Sequence, residues 1–118
     1  MSAIVDDVAQ IRREILMRRV LEVVRRRCFP DGAPIPLDFL VPPQLLGEIG
    51  TDDAELGELF AWMWSQAQEE ILVRDARGDR IAAAEVMLRA QAYAELAERY
   101  HRRGLQLRGN PLASGELG

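Results

Sequence analysis

The sequence predicts a mainly α-helical fold with a long N-terminal helix and one small β-hairpin. Three observations carry that prediction. Apolar residues recur at helical spacing over 3–28, 53–69 and 90–103. Two segments, Ile71-Leu72-Val73-Arg74-Asp75 and 80–88 with its strand signal in Glu85-Val86-Met87-Leu88, bracket Ala76-Arg77-Gly78-Asp79, whose composition suits a hairpin turn. The chain has 118 residues, 48% hydrophobic and 29% charged, which fits one folded domain and not a disordered chain.

In the first helix Ile4, Val8, Ile11 and Ile15 form a seam at a/d spacing, followed by Met17, Val20, Leu21 and Val24 in a shifted phase. The seam predicts self-association through this helix, with docking of the segment back onto its own domain as the alternative. Arg12, Arg19 and Arg26, spaced by seven, form a basic stripe beside it. Phe29-Pro30 ends the helix, because proline lacks the amide hydrogen and disfavours the helical conformation of the residue before it. Prolines keep 33–43 extended, and Pro42-Pro43 open a short helix through Gln44–Ile49 that Gly50 ends.

Asp52 is the expected N-cap of the third helix, with Glu55 three residues on. A helical projection puts Leu56, Leu59, Phe60, Met63 and Ala67 on the core face, with Trp64 at its margin. Trp62 falls on the opposite side with Glu55, Glu58 and Glu69, an arrangement that predicts an aromatic partner-binding residue rimmed by acids. The bland alternative is that the proline-rich segment 33–43 covers the ring. After the hairpin, Tyr93, Leu96, Ala97 and Tyr100 define the buried stripe of a last helix that Gly104 should stop. Residues 1–104 are thus expected as one domain and 105–118 as a flexible tail.

The order of these elements resembles the winged helix-turn-helix superfamily over about residues 17–100. The resemblance rests on Phe60-Ala61-Trp62-Met63-Trp64 through Glu69-Glu70-Ile71-Leu72-Val73-Arg74, then Val86-Met87-Leu88-Arg89-Ala90 onward. These segments are similar to the third helix, wing and following helix of small bacterial or phage winged-helix proteins. Glu70, Arg89 and Ala92 stand where that pattern carries glycine or threonine. The resemblance implies a helix placed to read DNA, with the wing against phosphate.

Charge distribution speaks against that use. Residues 38–70 carry eight acids and no base, so the third helix would repel phosphate. The sequence therefore predicts a non-enzymatic regulatory or adaptor protein that binds another protein, with acidic inhibition or nucleic-acid mimicry as one form. The alternative is a DNA-binding transcriptional regulator using Arg74, Arg77 and Arg80 of the wing with Arg12, Arg19 and Arg26 of the first helix.

Catalytic chemistry finds no support. Cys28 lies beside Arg25, Arg26 and Arg27 but has no histidine near it in sequence, and His101 reads as a helix-end residue. One cysteine and one histidine are too few for a zinc site, and Asp52, Asp53 and Glu55 fall in one helical first turn, where acids are expected anyway. Arg77-Gly78-Asp79 spells an adhesion tripeptide, yet a tight turn selects glycine and aspartate for backbone reasons. No cofactor or metal is predicted. The first residues lack the basic and apolar regions of a signal peptide, and no apolar run approaches a membrane span, so cytoplasmic residence is expected.

Overall fold

The structure, a computed structural model, describes the backbone of residues 2–115 and the side chains of 7–106. Four α-helices make up the fold: α1 (Ser2–Cys28), α2 (Leu46–Ile49), α3 (Asp53–Ala76) and α4 (Arg80–Gly115), with a 3-10 turn at Pro43–Leu45. The chain divides into two compact units, one of Met1–Pro36 and Val41–Thr51, the other of Leu37–Leu40 and Asp52–Gly118.

In the first unit α1 follows its expected course and buries Leu16, Val20, Val23 and Val24, the last at 2% exposure. Its end is closed by the Phe29 amide donating to the Val24 and Arg25 carbonyls. The short second helix also forms as expected. Pro42 precedes the 3-10 turn in an extended conformation, and α2 ends on Gly50 at a φ of 84°, where L side chains are strained. α2 packs on α1 and buries Ile49.

The second unit departs from the sequence reading. There is no β-hairpin and no wing: the described residues contain no strand, and the segment expected to form one is the junction of two antiparallel helices. The turn chemistry is real but serves helices. Gly78, at a φ of 79°, ends α3 in a Schellman motif: its amide donates to the Asp75 carbonyl and the Asp79 amide to that of Arg74, both at 3.0 Å. Asp79 then caps α4, its Oδ1 accepting from the Ala82 amide at 3.1 Å. The adhesion-like tripeptide is thus a C-cap glycine joined to an N-cap aspartate. Ala82-Ala83-Ala84, poor in strands, is strong in helices, and an i,i+4 pair from Arg74 to Glu70 at 3.1 Å supports the end of α3.

The last helix likewise begins at Arg80 and passes Gly104, where a stop was expected. That glycine answers to packing instead. A Cβ built there would lie 3.2 Å from the Asp53 Cβ, so α3 and α4 touch nearly backbone to backbone at this level. Residues 116–118 of the expected tail lie outside the described residues.

Between α3 and α4 the core has two parts. Near the turn it is thin, built of Ala67, Val86 and Ala90 with Ile71 and Tyr93 against them, and small residues let the helices approach closely. Toward the other end it is aromatic: Phe60 stacks on Tyr100 with ring centroids 5.5 Å apart and tilts against Tyr93 at 6.0 Å. Leu56, Leu59 and Leu96 complete it, all three fully buried.

Candidate functional site

Helical backbone through residue 76 keeps Glu55, Glu58, Trp62 and Glu69 along one side of α3, as the projection placed them. The three glutamates are exposed. Trp62 is half-buried, a smaller offered surface than a bare tryptophan, while Trp64 is the more open ring at 42% exposure.

The arginines expected on the wing sit around the helix junction instead: Arg74 in the last turn of α3, Arg77 at its cap and Arg80 opening α4. Arg74 pairs with Glu70, which also lies 3.7 Å from Arg89 of α4, whereas Arg77 and Arg80 are exposed. In α1, Arg12 and Arg19 are exposed, and Arg26 is engaged within its own unit. Its Nη2 donates to Glu48 Oε2 of α2 at 2.7 Å, and the neighbouring Arg27 Nε donates to Glu48 Oε1 at 3.0 Å.

These two hydrogen bonds, that from Arg26 first, hold the Glu48 carboxyl below its ordinary pKa of 4.5 against the weaker effect of desolvation. A depressed folded pKa means that the clamp is fully present above the unfolded value and is lost as pH falls through the lowered one. Carbon-detected NMR titration should place the Glu48 midpoint below the ordinary 4.5. An equal midpoint, or no upward change in Arg26→Gln, would contradict the clamp.

Of the self-association seam, Val8, Ile11 and Ile15 are all exposed, at 47–54%, and the Ile4 side chain lies outside the described residues. Cys28 is half-buried at the end of α1. His101 is exposed within α4 and not at its end, because the helix continues. Asp52 caps α3 as expected, its Oδ1 accepting from the Glu55 amide at 2.8 Å. Asp53 does something else: it is buried at 3% exposure and accepts from Arg103 Nε and Nη2 of α4 at 2.9 and 2.8 Å. Among the described residues its Oδ2 has no hydrogen-bond partner, and no group of three or more potential metal ligands occurs.

A surface that the strand reading concealed lies along the helix pair. Trp64, Gln68 and Ile71 of α3 and Ala84, Leu88 and Gln91 of α4 line one open groove, floored by Ala90 and edged by Met87. Their spacing, four then three on α3 and four then three on α4, is the a/d spacing of helices that meet further helices. None of the lining residues is charged. Leu72 and Ile81, the latter 79% exposed, extend the apolar rows toward the turn. Seven acids and bases fall within residues 69–80, so this apolar stretch is not a consequence of an uncharged region.

Comparison with known protein families, curated proteins and solved structures gives no match. No helix among the described residues is long and apolar enough to cross a membrane.

Proposed function

We propose that the chain is a cytoplasmic, non-enzymatic adaptor that binds another protein through the groove between α3 and α4. The observation that carries this reading is the uncharged groove with Trp64, Met87 and Leu88 at 42–66% exposure along it. Apolar side chains in that number along two neighbouring helices cost solubility unless a partner covers them, and the patch is the kind that marks interaction sites. Glu55, Glu58 and Glu69 make the side of α3 that carries Trp62 acidic, which favours a partner with basic residues beside its apolar anchor and disfavours nucleic acid.

A photo-crosslinking residue in place of Leu88, introduced in the native host, is expected to give a protein adduct, and one in place of the exposed Gln66 is not. Equal yields at the two positions, or no adduct at either, would refute the reading. The DNA-binding alternative keeps one favourable observation, the clustering of exposed Arg77 and Arg80 at the helix junction. Gel shifts decide it: the adaptor reading expects no sub-micromolar binding of duplex DNA at physiological salt, and salt-sensitive binding abolished by Arg77→Ala/Arg80→Ala would reverse the order. The exposed Val8, Ile11 and Ile15 ridge supports a second, smaller contact through α1.

A further inference from the structure

We infer that the occupant of the groove is a second copy of this chain, so that the α3–α4 pairs of two molecules form a four-helix bundle related by a two-fold axis. The inference rests on the reading of the groove as a protein-binding surface and names its partner.

Two antiparallel helices joined by a tight turn are half of a bundle, and the half shown here carries the seams of the whole. Each helix has one apolar row toward its neighbour, Phe60, Ala67 and Ile71 on α3 and Val86, Ala90 and Tyr93 on α4. Each has further residues toward the groove, Trp64 and Gln68 beside Ile71 on α3 and, at heptad spacing, Ala84, Leu88 and Gln91 on α4. Helices with two such faces pack against two neighbours, which is the geometry of a bundle and not of an isolated pair.

The chemistry of the groove suits its own copy. It has no charge that an identical surface would repel, which a symmetric contact requires because each group meets its own kind. Gln68 and Gln91 are its polar members, and a primary amide both donates and accepts, so the same residues of a second copy can satisfy them. Ala84 is exposed and small enough to admit a neighbouring helix closely, and the bulky Leu88 and Met87 stand beside it as knobs. Trp64, Met87 and Leu88 in the groove, with Leu72 and Ile81 beside it, are 42–79% exposed, so a second copy would cover a contiguous apolar surface on each molecule.

Sedimentation velocity on the full chain tests the assignment. The wild type is expected to shift from monomer to dimer between about 1 and 100 µM. Leu88→Glu and Met87→Glu, both at exposed positions, should weaken the dimer by at least about 30-fold with unchanged helical circular dichroism, while Ile11→Glu on α1 should leave it intact. A dimer lost in Ile11→Glu but kept in Leu88→Glu would move the contact to α1 and overturn the inference. A monomer at every concentration would overturn it too, and the adduct at position 88 then reports independently whether a different protein occupies the groove.

Discussion

Arg103→Met should remove about 3–5 kcal/mol of stability, the cost of leaving a buried charge without its partner. Asp53 is 3% exposed and takes both of its described side-chain hydrogen bonds from Arg103, so loss of the guanidinium leaves a buried carboxylate without either of them. Arg103 itself is 17% exposed and lies 5.5 Å from the Tyr100 ring centroid, so it keeps some solvent and a ring face when its partner is removed. Asp53→Leu should accordingly cost less than Arg103→Met. The double variant should recover most of the loss, because two apolar groups replace an ion pair at little net cost. Urea denaturation of the four proteins measures all three statements. Additive single effects, with no recovery in the double variant, would show that the two residues do not act as a pair.

Phe60→Ala is the second large effect, about 3–5 kcal/mol, as for other buried aromatic truncations. The Phe60 ring is 5% exposed and in contact with both Tyr93 and Tyr100, so its removal opens a cavity between rings that α3 and α4 hold at fixed spacing. Phe60→Leu refills much of the volume and should cost clearly less. Since Tyr93 and Tyr100 flank the cavity, the near-ultraviolet circular dichroism of the folded Phe60→Ala protein should fall as well. A loss below about 1 kcal/mol would mean that the aromatic cluster is not the anchor of this helix pair.

Local chemistry was legible in the sequence where one signal had one use. Asp52 caps α3, Pro42-Pro43 open the second helical segment, Gly50 closes it, and the buried positions Leu56, Leu59, Phe60, Ala67, Leu96 and Tyr100 follow the 3.6-residue period. Arg77-Gly78-Asp79 failed as a signal because a left-handed glycine followed by aspartate satisfies a hairpin turn and a helix-to-helix cap equally well. Ile71-Leu72-Val73 tipped the reading toward a strand, although its flanks, Glu70 with Arg74 and the alanines 82–84, favour helix. The groove has no signature in a strand, since the 84–88–91 row exists only if residues 80–91 are helical. The Asp53–Arg103 pair was beyond reach for another reason: 50 residues separate its members, and an acid in a helical first turn already has a sufficient local explanation.

The three-residue turn at Arg77–Asp79 also predicts an order of folding for the second unit. Loop closure costs little where helices meet across a tight turn, and the cost grows with the length of chain enclosed. Contacts between α3 and α4 are therefore nested about Gly78: Ile71 and Ala67 with Val86 and Ala90 lie inside, Phe60 with Tyr93 and Tyr100 further out, and Asp53 with Arg103 outermost. A chain that zips from the turn outward meets its small alanine layer first and its aromatic anchor later, and joins the ion pair last. The tight, weakly apolar end is then a nucleus that forms fast and holds little, and the far end acts as the latch. Substitutions at Arg103 should leave the refolding rate nearly unchanged and appear almost wholly as faster unfolding, so the lifetime of the folded helix pair is governed at the end opposite to where it begins.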